Sequence, residues 1–173
     1  MPPYNLRPPK EEDLPAIVAF EIEIARISFP DDPVVDPEMH RKKLAKALDR
    51  DREGMFVAED VASGKVVGWL WVALNTNFLT GEQYATFRSL ATEHGPDSAG
   101  VADMIFAHGI EYARSKGVSE ITGKVHVDNK AMRVIYRKFG FEAEHLSMKK
   151  RIQATIDDRR RTTDDRRSTI TDN

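Results

Sequence analysis

Between residues 84 and 138 the apolar pattern alternates between the two-residue period of a strand and the 3.6-residue period of a helix. "YATFRSLAT", residues 84–92, reads as a strand, and "EHGPDSAG" is a loop leading into a helix from about 100 to 115. Lys116-Gly117 stops that helix, and residues 118–127 contain the next strand, in which Val125 and Val127 alternate. Asn129 to Lys138 then reads as a helix that Gly140-Phe141 ends, with a last strand near 141–150. A strand, a crossover helix and a second strand return the chain parallel to itself, so strands 84–92 and 118–127 are expected as parallel neighbours or close to it.

The preceding residues supply the other strands and helices. Leu14, Ile17, Val18, Phe20, Ile24 and Ile27 fall at near-helical spacing, with acidic residues at the front end, where they suit a helix dipole. "SFPDDPVVDPEMH" breaks that pattern, and Asp36 before Pro37 is the N-cap and first position of a second helix running to about Arg50. "MFVAED" and "KVVGWLWVAL" are apolar and β-branched around the turn "VASGK", which predicts a β-hairpin. Alternation puts Trp69 and Trp71 on one face, where they pack in the core, and leaves Phe29 and Phe78 as core or pocket residues. The sum is an α/β domain over residues 1–150, a mixed sheet covered by helices. Residues 151–173, with "DDRR" at 157–160 and 164–167, form a charged tail.

Composition narrows the partners. The 173 residues hold 26 basic and 28 acidic side chains, so no excess of positive charge draws the chain to nucleic acid or an anionic membrane. The absence of cysteine removes disulfides, thiolate metal sites and a cysteine nucleophile, and it fits a reducing, cytoplasmic setting. "MPPYNLRPPKEEDL" has no apolar core of signal-peptide length. His40, His94, His108, His126 and His145 show no close ligand pair, although His94 and His126 approach one another if their strands are neighbours; no metal site is expected.

"SAGVAD", residues 98–103, places small residues at a helix N-terminus that follows a strand. Unpaired backbone N–H groups and the positive end of a helix dipole gather there and attract anions such as a pyrophosphate. With this loop, "LRPPKEEDL", "SLATEHGPDSAGVADMIFAHGIEYARSKG" (89–117) and above all "VHVDNKAMRVIYRKFGF", the chain resembles the GCN5-related N-acetyltransferase family over most of residues 5–150. The resemblance implies a mixed, mostly antiparallel sheet whose two central parallel strands splay apart, and an acetyl group moved from acetyl-CoA to an amine. The pantetheine arm of coenzyme A would lie in that gap, bonded to the backbone of the first strand at Leu90, Ala91 and Thr92. Ser98, Ala99, Gly100, Val101 and Ala102 would form the pyrophosphate loop, Asn129 would contact the cofactor, and Tyr136 would point at its sulfur.

These residue types suit the chemistry. Negative charge builds on the carbonyl oxygen of an attacked thioester, and a fixed N–H such as that of Thr92 stabilises it without reorganising. A phenol of pKa about 10 is protonated at neutral pH and can donate to a thiolate of pKa about 8.5, which makes Tyr136 the candidate acid. Glu93 or His126, directly or through water, would take the proton of the amine.

The loop also departs from the family pattern: Asp97 stands where an amide or a cation is usual, and a carboxylate repels a pyrophosphate unless it turns away or caps the helix. A domain of this fold that binds a ligand or partner without acetyl transfer is therefore the alternative, favoured by Asp97 and Asp103. Phe29, Asp31 and Asp32, with Asp36 and Glu38, lie on the implied acceptor side, where acids would attract a cationic amine or stand in water. The acceptor stays open between a small-molecule amine, such as a polyamine, an amino acid or an antibiotic, and a peptide N-terminus or lysine. A homodimer is common among similar folds.

Overall fold

The computed structural model describes residues 3–150. Five strands and four helices follow in the order β1 (Tyr4–Arg7), α1 (Leu14–Ser28), α2 (Pro37–Asp51), β2 (Met55–Asp60), β3 (Val66–Thr76), β4 (Gln83–Thr92), α3 (Ser98–Ser115), β5 (Ile121–Gly123) and α4 (Lys130–Lys138), with short 3-10 turns at Glu11–Asp13 and Arg52–Gly54. The described residues up to Phe141 group into one compact unit, and those from Glu142 on fall outside it. The Asp/Arg tail predicted for 151–173 lies outside the described residues.

The strands run in the order β1-β2-β3-β4-β5. The β1–β2, β2–β3 and β3–β4 pairs are antiparallel and β4–β5 is parallel. This is the mixed α/β architecture expected, with the crossover placing β4 and β5 side by side.

Period-two alternation builds two cores at once. Met55 and Val57 of β2 and Trp69 and Trp71 of β3 face a cluster that includes Ile17, Phe20, Leu44 and Leu48 of α1 and α2. Phe56, Ala58, Leu70 and Val72 face a second cluster with Val101, Ile105 and Phe106 of α3. Because both faces of the central strands are covered, their sequences are continuous apolar runs rather than half-polar ones. Trp69 and Trp71 are core residues, whereas Phe29 and Phe78 are exposed.

The cap expected at Asp36 is formed, and Asn129 makes a second. Asp36 accepts the Glu38 N–H at 2.9 Å, and Asn129 accepts the Met132 N–H at 3.0 Å at the head of α4.

Two strands differ from expectation. β5 is only Ile121–Gly123, so Val125, His126 and Val127 lie in a loop, and residues 142–150 form no strand at all. Of the latter, only Leu146 and Met148 make an apolar pair at strand spacing, which is too little burial to offset the entropy of ordering them. Among the described residues β5 is held by β4 alone, at Ala85↔Ile121, Thr86↔Thr122 and Phe87↔Gly123, and it ends where β4 turns from it.

Candidate active site

The turn in β4 is a single extra residue. Trp71 pairs with Ser89 and Val72 pairs with Phe87, which leaves Arg88 as a bulge. A bulge inverts the alternation beyond it. Before it, Ala85 and Phe87 face the α3 side and the Ala85 N–H donates to Glu120 O on the β5 edge. After it, Leu90 faces the α3 side, Ala91 packs on the α1 side, and the Glu93 N–H donates to Val67 O on the β3 edge. The backbone edges of Leu90 and Thr92 are thereby turned toward the gap. β4 continues to pair with β3 as far as Thr92, while its pairing with β5 stops at Phe87. The two parallel strands fork, and beyond Phe87 one side of β4 has no partner strand among the described residues.

A cleft of about 250 Å³ occupies the fork. Ser89, Leu90, Ala91 and Thr92 form its floor, and Glu23, Ile24, Ile27 and Ser28 of α1 form one wall. Lys124 to His126, the cap residue Asn129 and the α4 residues Met132 and Tyr136 form the other, with Ser98 and Ala102 of α3 at one margin.

Tyr136 reaches the apex. It is buried, and its hydroxyl lies against Gly123, the last residue of β5 paired to β4; a Cβ at position 123 would overlap that oxygen. The hydroxyl makes no side-chain hydrogen bond among the described residues, so its proton is free for a ligand. Loss of water around the ring pushes its pKa up to about 12, because burial disfavours phenolate. Edge and tilted contacts with Phe106 and Phe141, at ring distances of 5.7 and 4.9 Å, hold it in place.

The head of α3 is open. Asp97 makes no side-chain cap; its carboxylate instead accepts from the Tyr4 hydroxyl at 3.2 Å. The amides of Ala99 and Gly100 have no intrahelical acceptor at this end, and a Cβ on Gly100 would meet nothing within 4 Å. A phosphate group fits that cradle. Val101 does not contribute to it: its side chain is in the core and its N–H donates to Asp97 O.

The other expected residues separate. His126 lines the cleft with its ring partly buried and its Nδ1 turned to the Asp128 N–H at 3.3 Å. Glu93 is paired with Lys65 and does not line the cleft. Phe29, Asp31 and Asp32 are exposed on the α1–α2 connection and do not line it either, although Ile27 and Ser28 just before them do. Glu23 was not singled out from the sequence, nor was Lys124. Glu23 reads there as one of several acids on an amphipathic helix, and nothing in its spacing tells which way it points. In the structure it faces His94, Oε1 to Nε2 at 2.7 Å. No group of three or more His, Asp or Glu among the described residues is placed to hold a metal, and no helix among them is long and apolar enough to cross a membrane.

Known proteins share this fold. Glucosamine-6-phosphate N-acetyltransferase from Arabidopsis thaliana superposes with a TM-score of 0.65 at 15% identity, covering 87% of this chain and 99% of that one. AAC(6')-Iy, in complex with the bisubstrate analog CoA-S-monomethyl-acetylneamine, superposes with a TM-score of 0.64 at 15% identity over the same shares. At such identities the likeness is one of fold. In sequence, mycothiol acetyltransferase of Thermobifida fusca (strain YX) is 25% identical over 95 residues, which cover 53% of this chain and 29% of that protein. The chain thus spans less than a third of that relative. The profile of the acetyltransferase (GNAT) family matches residues 22–141, from the cleft wall of α1 to the Phe141 that packs on Tyr136. With the forked strands, the open head of α3 and the buried tyrosine inside the matched stretch, the chain belongs to the acetyltransferase (GNAT) family.

Proposed function

We propose that this chain is an N-acetyltransferase that moves the acetyl group of acetyl-CoA to a primary amine by direct attack while both substrates are bound. One observation carries this reading: the hydroxyl of Tyr136 sits at the apex of a fork, and among the described residues it has no hydrogen-bond partner and the β4 edge beyond Phe87 has no strand partner. Acetyl-CoA supplies an acyl group activated as a thioester. The exposed edges of Leu90 and Thr92 orient it, and the N–H of Thr92 is the donor for the carbonyl oxygen. The amides at the head of α3 and the side chain of Lys124 suit its phosphates. The Tyr136 hydroxyl, kept protonated by burial, donates to the departing sulfur.

Binding without transfer is the second reading, and Asp97 favours it, since a carboxylate stands beside the amides that an anion would need. Its bond to Tyr4 draws it aside. Calorimetric titration of the full chain with acetyl-CoA separates the two readings when combined with an assay of thiol release on adding amines. Asn129→Asp retains the cap on Met132 but loses the amide donor and adds a charge; it is expected to weaken acetyl-CoA binding without lowering the melting temperature. Tyr136→Phe is expected to leave binding within a few-fold and to lower turnover by about a hundredfold. Binding that no amine converts to thiol release selects the second reading, and no binding at all rejects both.

A further inference from the structure

The described residues that line the cleft include one carboxylate, that of Glu23. The neighbouring acids are committed elsewhere. Glu21 accepts from the Trp69 indole at 2.8 Å, Glu93 is paired with Lys65, Asp97 holds the Tyr4 hydroxyl and Asp103 is paired with Lys138. Among the described residues Glu23 is instead held only by His94, whose side chain is 89% exposed and whose displacement costs little packing. Ile24 and Ile27 on the same helix flank it with apolar surface.

We infer that Glu23 receives the acceptor as a protonated primary amine carrying an apolar body beside its nitrogen, and that His94 passes the released proton to water. The inference rests on the acetyltransferase reading above and specifies the substrate class of that same cleft. A half-buried carboxylate with an exposed imidazole as its sole partner is a cation site that a competing ammonium can occupy, and it prefers a substrate that brings its own positive charge. The protons balance. An ammonium gives up one proton to Glu23, and from there through His94 to water, before it can attack. As the C–N bond forms and the C–S bond breaks, Tyr136 gives its proton to the leaving sulfur and is reprotonated by the second proton that the nitrogen loses, so one proton in all passes to water for each amide formed.

The probes are benzylamine, which is cationic at neutral pH, and O-benzylhydroxylamine, which has the same body and is neutral there. Acetyl-CoA affinity is measured by calorimetry on the wild-type chain, Glu23→Gln and Glu23→Asp, and thiol release is followed with each amine. Glu23→Gln is expected to lose about ten- to a hundredfold in kcat/KM for benzylamine, the worth of one charged hydrogen bond, with acetyl-CoA affinity unchanged. Glu23→Asp recovers part of that loss, and the neutral amine changes little. An unchanged benzylamine rate in Glu23→Gln overturns the inference. So does an equal loss for both amines or the same loss in Glu23→Asp, either of which marks a merely structural role. So too does wild-type protein that binds acetyl-CoA and releases no thiol with benzylamine. Failure to bind acetyl-CoA is a different result, since it removes the acetyltransferase reading itself.

Discussion

The phenol of Tyr136 shows how one buried group is tuned by its surroundings. Its raised pKa has a sign that can be checked on stability. Between the unfolded value of about 10 and the folded value of about 12 the unfolded chain releases the proton and the native one keeps it, so native stability is full below that window and falls as pH rises through it. The loss amounts to about 2 to 3 kcal/mol by the top of the window. Urea midpoints measured from neutral pH to above that range should fall more steeply in the wild type than in Tyr136→Phe, and parallel curves would deny the burial. Near neutral pH the same substitution should cost little stability, because the hydroxyl it removes has no side-chain partner among the described residues. Tyr136 and Asn129 entered through the resemblance of "VHVDNKAMRVIYRKFGF" to the family, and both line the cleft. Glu93 looked as well placed as any base, and only the bond from its N–H to Val67 and its pairing with Lys65 show it turned from the cleft.

Close approach sets the geometry of the elements. Gly109 lets α3 lie directly on the sheet: a Cβ there would come within 2.7 Å of Leu70 Cδ2 and Phe87 Cε1. Phe87 is also the last β4 residue paired to β5, so a displacement of α3 is felt at the fork. Gly109→Ala gains up to about 1 kcal/mol of helix propensity but forces the two side chains apart, a net loss of about 1 to 2 kcal/mol. A lower urea midpoint with an unchanged slope would report that cost, and weaker acetyl-CoA binding would report the displaced α3; a midpoint at or above wild type would mean the site relaxes freely. The helices and the hairpin were readable from period and caps. The fork was expected from the family resemblance alone and not from period, because the Arg88 bulge depends on the register between β3 and β4, which no local pattern of residues 83–92 encodes.

At the scale of the molecule, Arg7 ties the N-terminal strand to the rest of the domain. Its guanidinium donates to Asp13 at 2.6 and 3.0 Å and to Glu59 at 2.7 Å, which joins β1 to the start of α1 and to β2. Burial of Asp13 acts to raise its pKa, but the Arg7 hydrogen bond and the Lys10 N–H outweigh it and hold the carboxyl below the usual range. That contribution to stability is present above the ordinary aspartate pKa and is lost as pH falls through the depressed one. Arg7→Ala strands a buried carboxylate and should cost about 3 to 5 kcal/mol, more than the double variant with Asp13→Ala. Unfolding curves of the two variants test this, and equal costs would show that Asp13 finds water instead.

Local chemistry was enough to place the helices, the Asp36 cap, the hairpin and the parallel neighbourhood of strands 84–92 and 118–127. Each of these follows from residues within a few positions of one another or from the handedness of a crossover. The short β5, the missing strand at 142–150, the parity of Leu90 and Thr92 and the direction of Glu23 required the folded chain. Those depend on which strand edges find partners and which faces are covered, and contacts between residues distant in sequence decide both.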